Sequence, residues 1–196
     1  MESGKMITQA ADYDSSIAID PGHGGNDNGA SYNKTDEDEL NLNIAFLLEC
    51  DLRQNGFENV TLTRERDIYV SLLDRVLTAK IAHADVFVSI HCDAWHKKTA
   101  QGMTVHIPES PSIDDIKIGD CISRKLKTAF PNHLQRGIRK SDFYVLRETY
   151  EIPSTLVECE FMSNPVQLKF LKKPENQKLF AWAISAGIRS FLSGEL

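Results

Sequence analysis

Short, almost uninterrupted apolar segments constrain the fold of this chain more than any other feature. The clearest is Asp85–His91 (DVFVSIH), which contains three consecutive apolar residues, Val86-Phe87-Val88. Strands without a polar alternation are typical of parallel sheets that are covered on both faces. The sequence therefore predicts buried strands at Ser16–Asp20, Asn59–Arg64 and Asp85–His91, with further strands at Thr104–Ile107, Phe143–Leu146 and Thr155–Phe161.

Segments of helical periodicity lie between these strands. Leu40, Ile44, Leu47 and Leu48 recur at helical spacing, which predicts a helix from Glu37 to Gln54 that is ended by Asn55-Gly56. Further helices are indicated from Ser71 to about Ala82, around Ile118, Cys121, Ile122 and Leu126, after Asn164-Pro165 and after Pro174. Such alternation predicts one α/β domain, a mostly parallel, twisted sheet of about six strands with helices on both faces.

Composition narrows the classes of function. The 196 residues carry a net charge of -6, with 41% hydrophobic and 26% charged residues, and no basic stripe that could neutralise phosphates. No apolar run approaches the ~18 residues of a membrane span. We therefore expect no nucleic-acid or membrane partner. We also expect the protein to be a monomer. Residues 1–15 are polar, show no secretory signal and are predicted to be disordered or loosely attached, and residues 16–196 form the predicted domain.

The four cysteines are widely spaced and form no metal-binding or redox pair of the CxxC type. In a domain with a large core we expect all four to be free thiols. Cys92 and Cys159 adjoin candidate site residues, but the alternation of a strand turns neighbours to opposite faces. We therefore predict that these two thiols lie in the core.

Candidate site residues follow the predicted strands. The first strand leads into Asp20–Gly25 (DPGHGG) with His23 at its centre, the third ends at His91, and the last carries Glu158 near its end. Ligands of open α/β sheets bind beyond the carboxyl ends of the strands. Two imidazoles and a carboxylate at one edge match the donors of a catalytic zinc site, which keeps a position for water.

Each feature also has a plainer interpretation. The glycine-rich loop could be a simple turn or a phosphate cradle, although it lacks the G-x-G-x-x-G order. His91 could be a hydrogen-bonded core histidine, and the acidic run Asp36–Glu39 a solvated helix start favoured by the helix dipole. Glu158 is harder to explain in this way, because a carboxylate in an apolar strand is costly unless it is paired or functional.

Seven motifs follow one another along the chain: IAIDPGHGG-x-D-x-GA, ExELNLNIA, TRxRDxYVSLLDR, ADVFVSIHCD, RGI, YVLR and LVECEFMSNP. The ordered set resembles the zinc-dependent N-acetylmuramoyl-L-alanine amidase family over about residues 16–193. The resemblance implies Zn²⁺ as cofactor, with His23, Glu37 and His91 as its ligands, and Glu158 as the catalytic carboxylate. It also implies that residues 16–196 are a zinc amidase catalytic domain.

The resemblance implies a substrate, bacterial peptidoglycan, and a bond, the amide between the lactyl group of N-acetylmuramic acid and L-alanine. Its hydrolysis would degrade or remodel the cell wall, where the enzyme would act. Two alternatives stay open, a zinc peptidoglycan carboxypeptidase or endopeptidase, and a non-catalytic wall-binding module. Some family members carry an inhibitory helix between the second histidine and the catalytic glutamate. Here a strand, a helix and a strand are predicted to fill that interval, so we expect an open cleft.

The chain departs from the family pattern at three places. It has Asp93 where asparagine is usual, Glu160 where glycine is common, and Glu37-Asp38-Glu39 where Glu-Lys-Asp is usual. Asp93 is a candidate substrate-binding residue. Glu160 would add negative charge near the site if it faced the cleft.

Three arginines complete the candidate residues. Arg147 could bind a carboxylate of the substrate, or it could form a structural ion pair. Arg64 and Arg75, together with Asp67, are predicted to support the site rather than to contact the substrate.

Helical geometry distinguishes Glu37 from Glu39 as a ligand. Two residues apart on a helix they point about 200° away from each other, so both cannot face one metal ion. Glu37 precedes Leu40 by three residues and Ile44 by seven, which places it on the predicted buried face. We therefore predict that Glu37, and not Glu39, faces the site.

Overall fold

The computed structural model describes residues 13–195, and in this range strands and helices alternate along the chain. The strands are β1 (Ile17–Pro21), β2 (Ser31–Tyr32), β3 (Thr35–Asp36), β4 (Val60–Leu62), β5 (Val86–Asp93), β6 (Met103–Pro108), β7 (Gln135–Ser141) and β8 (Ser154–Phe161). The helices are α1 (Glu37–Gln54), α2 (Leu72–Ile81), α3 (Ile113–Ala129), α4 (Tyr144–Glu148), α5 (Pro165–Leu171) and α6 (Pro174–Leu192).

Six of the strands form one sheet in the order β4-β1-β5-β8-β6-β7. The strands β4, β1, β5 and β8 run parallel, β6 is antiparallel to β8, and β7 is parallel to β6. The short strands β2 and β3 form a separate hairpin between β1 and α1. The predicted single α/β domain with a mostly parallel sheet of six strands is confirmed.

Helices cover both faces of the sheet, as predicted. On one face α1, α3 and α6 pack together over a core that includes Ile17, Ile19 and Ile44. On the other face α2 and α4 pack over a smaller core that includes Ala18 and Phe87. Consecutive residues of β1 therefore contribute to different cores, as the alternation of a strand requires.

Four elements differ from the prediction, among them the short strands β2 and β3, which were not predicted. Phe143–Leu146 was predicted as a strand, which is wrong, because Tyr144–Glu148 is the short helix α4. An apolar run of this length carries no period that separates a strand from a helix. The strand β7 was missed because its sequence, QRGIRKS, is mostly polar. It lies at the edge of the sheet, where charged side chains are common.

Residues 1–12 of the predicted N-terminal segment lie outside the described residues. Tyr13, which does belong to them, packs its ring 5.5 Å from the ring of Phe57. The four cysteines are free thiols, with Cys50 exposed and the other three buried. The buried thiols include Cys92 and Cys159, in agreement with their predicted place in the core. Within residues 13–195 no helix is long and apolar enough to cross a membrane.

Candidate active site

The ends of three neighbouring strands bring the predicted site residues together. β1 leads into the loop that carries His23, and its neighbour β5 carries His91. Glu158 lies on the next strand, β8, directly in register with His91. The helix α1 begins at Glu37, which is buried, whereas Glu39 is exposed. The helix therefore presents Glu37 to the site, in the orientation that its spacing predicted.

His23, Glu37 and His91 form a compact cluster. Oε1 of Glu37 lies 3.4 Å from Nε2 of His23 and 3.0 Å from Nδ1 of His91. The two imidazole rings are 5.0 Å apart and nearly perpendicular, at 80°. One donor atom from each residue lies within 4.8 Å of the others, which is close enough to hold a single metal ion.

Backbone and side-chain donors fix the carboxylate of Glu37. Its Oε2 accepts a hydrogen bond from the N–H of Ala30 at 3.0 Å, and its Oε1 accepts one from the N–H of Cys92 at 3.2 Å. The side-chain amide of Asn41 also donates to Oε1, at 3.3 Å. Burial raises the pKa of Glu37, but the hydrogen bonds and charges of the two histidines outweigh it and hold the pKa well below its ordinary value. Glu37 is therefore a fixed, ionised carboxylate.

The loop around His23 is shaped to hold that imidazole. His23 has a φ of 61°, a left-handed conformation that non-glycine residues rarely adopt. Its Nδ1 lies 2.9 Å from Oδ2 of Asp27, which leaves Nε2 facing Glu37. Burial lowers the pKa of His23, but hydrogen bonds and charges of Glu37 and Asp27 raise it to about 9. Carboxylates in this position orient the histidine ligands of metals.

Gly22 is required at its position by the close approach of His91. A Cβ added to Gly22 would lie 2.2 Å from two atoms of the His91 ring, and a collision with a ring atom at that distance forces a shift. The glycine of the DPGHGG motif therefore lets the backbone of the loop pass directly beside the second imidazole.

Arg64 and Arg75 stabilise the same loop by donating hydrogen bonds to its backbone carbonyl groups. Arg64 donates to the carbonyls of Pro21 and Gly22, each at 2.9 Å. Arg75 donates to the carbonyls of Pro21 and His23, each at 2.7 Å. Asp67 accepts a hydrogen bond from the N–H of Gly25 at 2.6 Å. These contacts agree with the supporting role that the sequence predicted for the three residues.

Glu158 differs from Glu37 in its surroundings. Its Oε2 is buried and has no hydrogen-bond partner among the described residues. Burial, with smaller contributions from the charges of Asp93 and Glu37, raises the pKa of Glu158 well above its ordinary value. A carboxyl group that lacks a fixed partner can take up and release a proton, which suits a general base or acid.

These residues line a cavity of about 390 Å³. His23, Glu37, His91 and Glu158 are among its lining residues, and the lining as a whole is more apolar than polar. The apolar and aromatic lining residues are Tyr69, Val70, Leu72, Ala94, Phe143, Tyr144, Val145 and Leu156. Helix α3, which lies between His91 and Glu158 in the sequence, packs against α6 and does not line the cavity, whereas Tyr144 and Val145 of the short helix α4 do. The open cleft stays a prediction.

Of the remaining candidates Asp93, Arg147 and Glu160, the structure places only Asp93 in the lining of the cavity. Asp93 lines the cavity next to Glu158. Arg147 lies outside the lining and pairs with Asp142 at 2.6 Å and with Glu148 at 3.0 Å, which is the ion-pair alternative. Glu160 is buried, and both of its oxygens accept from the N–H of Gly102, so its charge does not face the cleft.

Two residues that touch the metal-binding candidates were not predicted from the sequence. Asp27 belongs to the first motif, four residues after His23, and Asn41 follows Glu37 by one turn of α1. The spacing of four residues on a helix was a usable signal for Asn41, because such pairs lie on one face. Asp27 lies in a loop, where the sequence offers no comparable geometric rule.

The sequence as a whole matches known proteins. A sequence model of the N-acetylmuramoyl-L-alanine amidase family matches residues 17–190. A protein of Staphylococcus saprophyticus named probable cell wall amidase LytH is 33% identical over 185 residues, which are 92% of this chain and 59% of that protein. Its counterpart in Staphylococcus aureus is 34% identical, over 90% of this chain and 58% of its own length. The chain thus spans somewhat over half the length of these curated relatives.

Solved structures show the same fold. The catalytic domain of CwlV, an N-acetylmuramoyl-L-alanine amidase from Bacillus (Paenibacillus) polymyxa var. colistinus, superposes with a TM-score of 0.85 at 31% identity, over 91% of this chain and 98% of that domain. An N-acetylmuramoyl-L-alanine amidase from Clostridium difficile 630 superposes with a TM-score of 0.89 at 31% identity, over 94% of this chain and all of that one (100%). On the match to residues 17–190, this chain belongs to the N-acetylmuramoyl-L-alanine amidase family.

Proposed function

We propose that this protein is a zinc-dependent amidase of bacterial peptidoglycan, which hydrolyses the amide between the lactyl group of N-acetylmuramic acid and L-alanine. The observation that carries the proposal is that the His23–Glu37–His91 cluster and Glu158 line one cavity. A wall-binding module without activity would need neither this cluster nor an unpartnered carboxyl group next to it.

The residues of the cluster fit a zinc ion. Two histidines and one carboxylate are a common ligand set of catalytic zinc sites, which leave a further position for water. Asp27 on Nδ1 of His23 and the three donors to Glu37 fix the ligands before any ion binds. When bound, zinc supplies a Lewis acid that polarises the substrate carbonyl and lowers the pKa of water to roughly 7.

Glu158 acts as the proton carrier in the proposed reaction. It accepts a proton from the attacking water while the oxygen of that water forms a bond to the carbonyl carbon. It then donates the proton to the alanine nitrogen as the carbon–nitrogen bond breaks. The products are a peptide with a free amino terminus and a glycan with a free lactyl carboxylate. The raised pKa of Glu158 favours uptake of the proton, and a cation in the neighbouring cluster would favour its release.

The proposed substrate places the protein at the bacterial cell wall. Peptidoglycan lies outside the cytoplasmic membrane, and the relatives in the two Staphylococcus species are named as cell wall amidases. A monomer is sufficient for the proposed activity, because every residue assigned to the site comes from one chain.

Digestion of purified peptidoglycan tests the proposed bond directly. The expected products are peptides with new L-alanine amino termini and glycan strands without peptide, which mass analysis identifies. New D-alanine carboxyl termini would instead assign a carboxypeptidase, and cleavage within the cross-linked peptides an endopeptidase. A protein that binds the wall and releases nothing would be a binding module, and the proposal would be wrong.

A further inference from the structure

The sheet continues past Glu158 for two more strands, β6 and β7. In register across the sheet stand His91 on β5, Glu158 on β8, Thr104 on β6 and Gly137 on β7. The cluster of metal-binding candidates lies at the ends of β1 and β5. Glu158 is therefore displaced from that cluster toward β6 and β7, on the side away from the wall formed by Tyr69 and Leu72.

Arg139 of β7 lies on the same face of the sheet as the cavity. It is in register with His106 of β6, whose ring packs 5.2 Å from the ring of the cavity-wall residue Phe143. Neighbours in register on a sheet point to the same face. Ile138 points the other way, because a Cβ added to Gly119 of α3 would meet Ile107 and Ile138. Lys140, in register with Ile107, shares the α3 face.

The guanidinium of Arg139 is free to bind a ligand. Among residues 13–195 it makes no hydrogen bond or ion pair, and the residue is exposed. The other arginines of this region are engaged. Arg136 donates to the carbonyl of Gln101 and lies over the ring of Phe161, and Arg147 pairs with Asp142.

Arg139 brings a positive charge to this side of the sheet. Arg136 and Arg139 both lie on β7, which is separated from the strand of Glu158 only by β6. Asp93 lines the cavity beside Glu158. A negatively charged group that passes from Glu158 across β6 toward β7 therefore approaches a favourable potential.

We infer that the stem peptide of the substrate runs from Glu158 across β6 to β7, and that Arg139 binds one of its carboxylates. This inference rests on the proposed function, because the direction follows from the proton that Glu158 donates to the alanine nitrogen. The nitrogen, and the peptide attached to it, must leave on the side of Glu158. The muramyl sugar then lies on the opposite side, toward Tyr69 and Leu72.

Carboxylate recognition by an arginine makes the site selective for an acidic peptide. An arginine can form two parallel hydrogen bonds to one carboxylate, and it forms weaker, uncharged contacts with the corresponding amide. Muramoyl-L-alanyl-D-glutamate carries free carboxylates on the peptide side of the scissile bond. Its amidated counterpart, with D-isoglutamine, lacks one of them and is otherwise the same molecule.

The test compares Arg139→Gln with the unaltered, zinc-loaded protein on these two synthetic muramoyl peptides, each bearing the same C-terminal extension. For the acidic peptide, Arg139→Gln is expected to raise KM by about tenfold with little change in kcat, the signature of a lost binding contact. For the amidated peptide the same variant should change KM by less than about twofold. Lys140→Gln, which removes the same charge from the opposite face of β7, serves as the control and should change neither.

Three results would overturn the inference while leaving the proposed function intact. The first is an equal effect of Arg139→Gln on both peptides, and the second is no effect on either, with the unaltered protein active on both. The third is an effect of Lys140→Gln as large as that of Arg139→Gln, because the net charge of the protein, and not a contact of Arg139, would then explain the change in KM. If the unaltered protein cleaves neither peptide at the lactyl–alanine bond, the proposed function itself fails.

Discussion

His91 and Glu158 occupy directly paired positions on the neighbouring parallel strands β5 and β8. Their side chains therefore leave the same edge of the sheet, one with its ring nitrogen on Glu37 and the other with an unpartnered oxygen in the cavity. Residues far apart in the sequence become adjacent because the two strands pair in this register. The division of tasks that we propose, metal binding for one and proton transfer for the other, follows from that difference in partners.

Glu158→Gln tests the proton-transfer role. The substitution preserves the size of the side chain but removes its ability to carry a proton, so we expect activity to fall about 100-fold or more. Folding and zinc content should remain those of the unaltered protein, which metal analysis and circular dichroism can check. Turnover close to normal in this variant would exclude Glu158 as the proton carrier.

A pair of variants on α1 tests the ligand assignment. Glu37→Ala should lose most of the bound zinc and the activity, because Glu37 lies between the two histidines. Glu39→Ala should keep both, because Glu39 is exposed on another side of the same helix turn. Zinc content per chain is the measurement. If Glu39→Ala is the variant that empties the site, the proposed ligand set is wrong.

Asp27→Ala tests the support of His23. Asp27 orients the ring from Nδ1 at 2.9 Å, and loss of such a contact commonly weakens metal binding by about 10–100-fold. Competition with a chelator of known affinity measures the change. Asn28→Ala, at the exposed neighbouring position, is the control and should bind zinc as the unaltered protein does. Equal affinities for the two variants would show that Asp27 does not support the ligand.

The buried ion pair of Asp20 and Arg75, 2.7 Å apart, gives a prediction for stability. Burial raises the pKa of Asp20, but the charge of Arg75 and hydrogen bonds from Thr63 and Ser89 outweigh it and lower the pKa. With the lower pKa in the folded state, the pair stabilises the fold above the unfolded-state pKa of about 3.9. The stabilisation is lost as the pH falls through the folded-state pKa.

Asp20→Asn should therefore lower the free energy of unfolding by about 3–5 kcal/mol near neutral pH, because it leaves a buried guanidinium without its countercharge. The difference from the unaltered protein should shrink on acidification. Urea unfolding at several pH values measures both effects. Asp114→Asn, which breaks the exposed pair with Lys117, is the control and should cost less than about 1 kcal/mol. If Asp20→Asn lowers the free energy of unfolding by the same amount at every pH, the proposed contribution of the ion pair is wrong.

Sequence patterns predicted the helices and strands wherever one face of the element is buried, because burial makes apolar residues recur at a regular spacing. The helix α1 has the predicted bounds because its apolar residues repeat every three or four positions, and the same repeat placed Glu37 on the inner side. Where burial imposes no period, prediction failed. The edge strand β7 is polar, and the four residues predicted as a strand at Phe143 are too few to distinguish the α4 helix from a strand.

Part of the candidate site was also predictable from the sequence, because several of its residues lie on buried strands or directly after them. His23, His91 and Glu158 follow or lie on buried strands, so their convergence is a property of the sheet. Arg139 was not identified, because its place on the cavity face depends on the pairing of β7, which the sequence did not reveal. Arg147 shows the converse, since only the structure distinguishes its ion pairs with Asp142 and Glu148 from a contact with the substrate.

The most direct test of the account is the dependence of amide hydrolysis on zinc at the His23–Glu37–His91 cluster. The protein is stripped of metal with a chelator, its zinc content is measured, and release of L-alanine amino termini from peptidoglycan is followed as zinc is returned. We predict no hydrolysis by the metal-free protein and a return of activity that saturates at about one zinc ion per chain. Full activity in protein that is verified to be free of metal would contradict the account.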